Sequence, residues 1–147
     1  MKLQWSAKES AAENVKAAMP EMVRDFIVRG RQAAQAEEAS QMHPFRLAAK
    51  QFRYTLEFLR PLYGKELDEY IHSVKTLQDR LGKVNDAVTT LDLIKDDSSS
   101  EGEKFRAHLH RRMAKDAEAF RAFWREQFDS SEVEERWVRF VRSPKKG

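Results

Sequence analysis

The stretch that decides the fold runs from His43 to Arg60 and reads HPFRLAAKQFRYTLEFLR. Its apolar residues recur three or four positions apart, which is the spacing of one face of an α-helix. That face holds Phe45, Ala48, Ala49, Phe52, Leu56 and Leu59. Pro61 and Gly64 follow, and both residue types commonly mark the end of a helix. We therefore predict a helix over residues 43–60 that buries one apolar face.

The segments on either side carry the same periodicity and predict further helices. Upstream, Ser6 and Glu9 fit a capping box, and we expect a helix from there to about residue 36, kinked or divided at Pro20. Downstream, we predict helices over about 67–94 and 102–128, and a short one capped by Ser131 and Glu134. The residues expected to face the core in these helices are Val15, Met19, Met22, Val23, Phe26, Ile27, Ile71, Val74, Leu77, Leu81, Val84, Val88, Leu91, Phe105, Leu109, Met113, Phe120, Trp124, Trp137 and Phe140.

Length and composition favour a single all-α domain. The chain has 147 residues, which fits one domain, and only five Gly and four Pro, which leaves little material for the turns of an all-β fold. Helices joined by short loops favour an antiparallel four-helix bundle, here with a short extra C-terminal helix. We expect this bundle over residues 1–142 and a loose tail over residues 143–147.

The sequence lacks the residues or motifs that several classes of function require. Cysteine is absent, so disulfides, thiolate metal sites and cysteine nucleophiles are excluded. No Gly-rich phosphate loop, catalytic triad or His-x-x-x-His spacing appears, and we expect neither an enzyme nor a metal or other cofactor. No apolar run reaches the roughly 18 residues that cross a bilayer. We expect a cytoplasmic protein that does not associate with membranes.

The helix over residues 43–60 also carries one row of cationic or titratable side chains. His43, Arg46, Lys50 and Arg53 are spaced by three, four and three positions, which places them within an arc of roughly 80°. Residues 43–60 hold four Lys or Arg and one acid, net +3, although the whole chain is also only +3. Neighbouring like charges repel, and a bound polyanion would convert the repulsion into attraction. A solvated helix face is the alternative interpretation of such a row.

A second row follows on the helix predicted over residues 102–128. It consists of Lys104, His108, Arg111, Arg112 and Lys115. Asp116 and Glu118 lie close to it, which favours a solvated face more strongly here. The spacing alone does not decide whether the two helices are adjacent or diagonal in the bundle, and so whether both rows face one groove.

The helix between the two rows has a polar edge. Gly82 within it costs about 1 kcal/mol relative to Ala, which suggests the close approach of another helix or of a ligand. Asp79 and Asp86 lie on one face and are expected to pair with cations of the first row. The other residues at this edge are Lys75, Gln78 and Asn85.

Two motifs together resemble the CHAD family, whose acronym stands for conserved histidine α-helical domain. The first is His43-x-x-Arg46-x-x-x-Lys50-x-x-Arg53-Tyr54, followed by Glu57-Phe58 and Pro61-x-Tyr63-Gly64. The second is Leu77-Gln78-Asp79-x-Leu81-Gly82-x-Val84-Asn85-Asp86. The resemblance is strongest over residues 43–94 and looser in the helix on either side.

The resemblance implies a helical fold that binds inorganic polyphosphate in a basic groove, associates with polyphosphate granules and is not itself catalytic. It implies that His43, Arg46, Lys50 and Arg53 bind the ligand. Weaker candidates, supported by spacing more than by motif, are Lys75 and the row Lys104, His108, Arg111, Arg112 and Lys115. Arg24 and Arg29 of the first helix are added to them. Many family members contain two such bundles, whereas this chain has the length of one, so we expect a single bundle that binds alone or, preferably, a homodimer.

Two other classes of function stay open at this point. A nucleic-acid binder would also use cations, but single-stranded readers add stacking aromatics, and Tyr54 is the only aromatic residue near the row. A protein-interaction bundle would use Trp124, Trp137 and the C-terminal cations.

Overall fold

The computed structural model describes residues 4–145, and within them the chain is entirely helical and coil, without a strand. The helices are α1 (Ala11–Ala34), α2 (His43–Tyr63), α3 (Leu67–Leu93), α4 (Ser100–Gln127) and α5 (Ser131–Val141). A single 3₁₀ turn over Ala39–Met42 precedes α2. The predicted all-α class is confirmed.

Helices α1 to α4 form the predicted antiparallel four-helix bundle. Helix α3 packs against both α2 and α4, and α1 packs against both α2 and α4 on the other side. Helices α2 and α4 are therefore diagonal, and so are α1 and α3. The short α5 packs mainly against α1 and is the predicted extra C-terminal helix.

Aromatic side chains fill the centre of the bundle. The rings of Phe26 and Phe52 stack with centroids 4.4 Å apart, and those of Trp124 and Phe128 stack at 5.0 Å. Gly30 of α1 lies directly against the Trp124 indole, so that a Cβ at this position would overlap the ring. The absence of a side chain at Gly30 is therefore what lets α1 and α4 approach around Trp124.

The start of α1 differs from the prediction. The N-cap is Ser10, whose hydroxyl accepts from the Glu13 amide while the Glu13 carboxylate accepts from the Ser10 amide. The reason is Asn14, which is 3% exposed and whose Nδ2 donates to the carbonyls of Ser6, Glu9 and Ser10. This side chain holds residues 6–10 in a turn, so the predicted cap at Ser6 is wrong by one turn.

Three smaller predictions also need correction. Helix α1 continues through Pro20, whose ring is buried in the core, so the chain is not divided there. Phe105 does not face the core and is 47% exposed. The cap of α5 is Ser130, one residue earlier than predicted, and its hydroxyl accepts from the Val133 amide.

The C-terminal segment is anchored on the end of α2. The buried Tyr63 hydroxyl donates to the Val141 carbonyl at 2.7 Å, and burial raises the pKa of the Tyr63 phenol. The Lys145 amide donates to the Leu62 carbonyl at 2.7 Å, and its Nζ lies 2.7 Å from a Glu66 carboxylate oxygen. Of the tail that we predicted to be loose, residues 146–147 lie outside the described residues.

Candidate functional site

The cation row of α2 lies on the flank of the helix that faces α3. Arg46 and Arg53 are partly buried there, whereas His43 and Lys50 are exposed. The opposite flank of α2, which carries Ala48, Gln51 and Thr55, lines a cavity shared with α1. The row therefore borders the groove between α2 and α3 and does not face α1.

Arg46 is partly buried and lies over Gly82 of α3. A Cβ at Gly82 would lie 4.0 Å from the Arg46 Nε, which is an ordinary van der Waals distance. Gly82 is therefore not required by close packing of another helix, the first of the two explanations that the sequence suggested. The Arg46 Nε is buried and has no hydrogen-bond partner among the described residues, and the same holds for the Oε1 atom of the nearby Gln78.

Arg53 is held by its neighbours on the same helix. Its Nε lies 3.5 Å from a Glu57 carboxylate oxygen, and its guanidinium lies 5.0 Å from the centroid of the Tyr54 ring. The Lys50 ammonium is 6.0 Å from the same ring. Both cations are attracted to the Tyr54 ring, Lys50 from the exposed side and Arg53 from a partly buried position in which its Nε forms no hydrogen bond among the described residues.

The remaining charges of the row are not neutralised by carboxylates. Within residues 4–145, His43, Arg46 and Lys50 form no ion pair. Two turns beyond Arg53 on α2, Arg60 is fully engaged, because it donates to both carboxylate oxygens of Asp68 at 2.7 and 2.9 Å. The hydrogen bond and charge of Asp68 raise the pKa of Arg60. Arg60 thus has a carboxylate partner, whereas the first three positions of the row have none among the described residues.

The predicted partners of the row are wrong. Asp79 and Asp86 make no ion pair with an α2 cation in the part of the chain that the structure describes. Asp86 instead lines a cavity on the other side of α3, and Asp79 is exposed. On α3, Gly82 therefore faces α2, Asp79 is exposed, and Asp86 lies toward α4.

The second cation row lies in a different groove. His108 and Arg112 line a cavity of about 290 Å³ between α3 and α4, together with Lys83 and Asp86 of α3. The Arg112 Nε lies 3.9 Å from an Asp116 oxygen. The other members of the row are exposed, and they are Lys104, Arg111 and Lys115. Because α2 and α4 are diagonal, α3 separates the two rows, and they do not share one groove within one bundle.

The structure does not place the outlying candidates Lys75 and Arg24 at the α2 row. Lys75 is exposed on α3, one turn before Gln78 and Asp79, and its helical position does not by itself assign it to the α2 side. Arg24 is exposed on α1, which packs on the opposite flank of α2, so the structure does not bring it to the row. Lys83, which the sequence analysis did not single out, lines the second groove, and only the helix arrangement reveals this.

Two further observations limit the classes of site. Among residues 4–145, no group of three or more His, Cys, Asp or Glu side chains is arranged to hold a metal ion. No helix in the same range is long and apolar enough to cross a membrane.

The tryptophans proposed for a protein-interaction surface are unavailable for it. Trp124 is fully buried and Trp137 is 3% exposed. The hypothesis of an interaction surface formed by these two tryptophans is wrong, because both indoles belong to the core.

Comparison with known proteins agrees with the two motifs. The family model described as the CHAD domain matches residues 2–95, which cover α1, α2 and α3. The α2 row and Gly82 of α3 lie inside the match, whereas the α4 row lies beyond it. No curated protein and no solved structure matches the chain. With its helical bundle, its histidine-led row and a match over most of its length, this chain belongs to the CHAD family.

Proposed function

We propose that this chain binds inorganic polyphosphate, without catalysing a reaction, through the α2 row and the adjoining side of α3. The CHAD domain is associated with polyphosphate-related proteins and is generally a binding domain. The observation that carries the proposal is the uncompensated charge of the row, since Arg46 and Lys50 form no ion pair among the described residues. Phosphate oxygens would supply the negative charge that these side chains lack.

The geometry of a helix suits a linear polyanion. Successive turns present a cation about every 5.4 Å along the axis, so an extended chain of phosphates can meet several in sequence. Arg46 and Arg53 offer planar forks, and Lys50 offers a mobile point charge. We assign His43, Arg46, Lys50, Arg53 and Lys75 to this groove. We assign His108, Arg111, Arg112 and Lys115 to a second, separate contact, and Arg24 is the least supported member of the original set.

In a cell, such binding would bring the protein to polyphosphate granules in the cytoplasm. A homodimer would supply a second copy of the row. Residues 1–142 would form the binding unit.

Nucleic acid is the second candidate, because the half-exposed Tyr54 ring lies beside the row. Lys50 and Arg53 already lie against this ring, which limits its use as a stacking platform for a base. Polyphosphate requires no stacking and is therefore favoured.

The test is to replace Arg46, Lys50 and Arg53 together by Ala and to titrate polyphosphate by calorimetry. We expect most of the affinity to disappear while the helical circular dichroism stays unchanged. Arg60→Ala is the matched control, since this arginine is on the same helix but is engaged by Asp68. Unchanged affinity in the triple variant would place the site elsewhere.

A further inference from the structure

The outward face of α2 carries an apolar stripe that the bundle does not cover. Leu47 is 45% exposed, Tyr54 49% and Phe58 77%. They are spaced by seven and four positions, and with Pro44, Gln51 and Pro61, all exposed, they complete a repeat of three and four. This is the spacing of a seam between two helices, and it lies on the side of α2 away from its buried face. Helix α2 is thus apolar on two sides.

The stripe is complementary to itself when reversed. An antiparallel arrangement of two α2 helices about a two-fold axis between Gln51 and Tyr54 places Leu47 of each copy against Phe58 of the other. It also places Gln51 against Tyr54, and Pro44 against Pro61. A two-fold dimer requires such a self-complementary patch, in which each contact occurs twice.

The charges that flank the stripe support the same arrangement. Lys50 and Glu57 lie on the same edge of the stripe, and in the antiparallel register each Lys50 is within about half a helical turn of Glu57 of the second copy. Glu57 is accessible for this pair, since its side chain is 47% exposed and its contact with the Arg53 Nε is long at 3.5 Å. The opposite edge carries the uncharged Ala48 and Thr55, and beside them Asp25 and Arg29 of α1 pair with each other at 2.9 Å.

We propose that two copies of this chain pair through the outward face of α2 in antiparallel orientation. A two-fold axis perpendicular to both helices keeps the α2–α3 edge of each copy on the same side of the dimer. The two cation rows therefore come to one face, on either side of the stripe, and form a single basic surface that one bundle lacks. A parallel pair would place the rows on opposite faces.

The pairing rests on the stripe and its flanking charges, whereas joint use of the two rows rests on the proposed function. Within one bundle, α3 with its exposed acids separates the α2 row from the α4 row. A second copy adds an equivalent row without this obstacle. Dimerisation then increases the number of cations that one polyphosphate chain contacts at once.

Site-directed cross-linking tests the pairing and its direction, and the chain has no cysteine of its own to interfere. Leu47→Cys and Phe58→Cys chains are oxidised separately and as a mixture, in the absence of polyphosphate. In the antiparallel register Cys at 47 meets Cys at 58 of the second copy, whereas two copies of position 47 are about 16 Å apart along the axis. We expect a covalent dimer in the mixture and none in either single variant.

Each other result overturns the proposal. A covalent dimer of Leu47→Cys alone indicates a parallel pair, and the absence of any product indicates that the face is not an interface. Leu93→Cys is the matched control for exposure, because Leu93 is 78% exposed but lies at the end of α3. A yield in the Leu93→Cys reaction equal to that of the mixture would show random collision and would also count against the interface.

Light scattering and calorimetry then separate the pairing from the binding. Phe58→Ser should shift the protein to a monomer and reduce its polyphosphate affinity several-fold, while Leu93→Ser should change neither. If the unaltered protein does not bind polyphosphate, the proposed function is contradicted, but the cross-linking result is not affected. Unaltered affinity in a monomeric Phe58→Ser variant would contradict joint use of the rows. A Phe58→Ser protein with the same mass in solution as the unaltered protein would contradict the pairing.

Discussion

Replacing Arg46 by Met should make the folded protein more stable and the complex weaker. Met keeps an unbranched stem in the groove but removes the guanidinium. The unaltered side chain leaves a buried Nε without a partner among the described residues, and such a group costs about 1–3 kcal/mol. Repulsion from Lys50, four positions away, adds a few tenths of a kcal/mol. Since part of the Arg46 side chain is solvated, we expect the free energy of unfolding to rise by about 0.5–1 kcal/mol.

The effect on polyphosphate binding should be larger and of the opposite sign. A hydrogen bond to a charged group contributes about 1.5–3 kcal/mol, which corresponds to roughly a tenfold to hundredfold loss of affinity. The salt dependence of binding should also weaken, because one fewer cation contacts the phosphates. Urea denaturation followed by circular dichroism gives the first quantity, and calorimetric titration at several salt concentrations gives the second.

Arg60→Met provides the control for this comparison. It removes an arginine from the same helix but breaks the contact with Asp68, so we expect a small loss of stability and no change in affinity. An Arg46→Met variant that is less stable and binds polyphosphate as before would refute the reasoning, since it would make Arg46 a structural residue.

Three further predictions concern the fold. Gly30→Ala places a methyl group inside the Trp124 indole and should destabilise the protein by about 3 kcal/mol, with a shifted tryptophan emission; a stable variant with native emission would contradict the packing described here. Tyr63→Phe leaves the Val141 carbonyl without its donor and should lower the free energy of unfolding by about 1–2 kcal/mol in urea titrations, and an unchanged midpoint would show that the contact contributes nothing. The hydrogen bond from Arg60 lowers the pKa of the Asp68 carboxyl. This pair therefore stabilises the folded protein above about pH 4, and its contribution is lost as the pH falls through the lowered pKa. Asp68→Asn should therefore be less stable than the unaltered protein at neutral pH and equally stable in strong acid, and a difference that persists in acid would contradict this origin.

The helices were predictable because their signal is local. The apolar face of α2, from Phe45 to Leu59, is buried as its periodicity indicates. The start of α1 was not predictable in the same way, because Ser6 with Glu9 and Ser10 with Glu13 both fit the capping pattern. The choice between them depends on the Asn14 side chain, which binds three carbonyls of the preceding turn and is not part of that pattern.

The candidate site was predictable only as far as one helix extends. Spacing correctly places the α2 row in one arc, but it does not say which neighbouring helix borders that arc. The diagonal arrangement of α2 and α4 depends on how all four helices pack, and it separates the two rows. Asp79 and Asp86 were assigned to the first row for the same reason, since position on α3 alone does not distinguish its two sides.

The exposed stripe of α2 shows a related limit. Leu47, Tyr54 and Phe58 have helical spacing, as core residues do. The structure shows that α2 buries the opposite face in the bundle, and that these three side chains are left exposed. When one face of a helix is strongly apolar, a second and weaker apolar face is difficult to recognise from the sequence.

The central claim is that the α2 row binds a polyphosphate chain in preference to other polyanions. The most direct measurement titrates the unaltered protein with polyphosphate, single-stranded RNA and single-stranded DNA at equal phosphate concentration and matched salt. We expect polyphosphate to bind most tightly, and we expect replacement of Arg46, Lys50 and Arg53 by Ala to remove this preference. Tighter binding of either nucleic acid than of polyphosphate would contradict this claim.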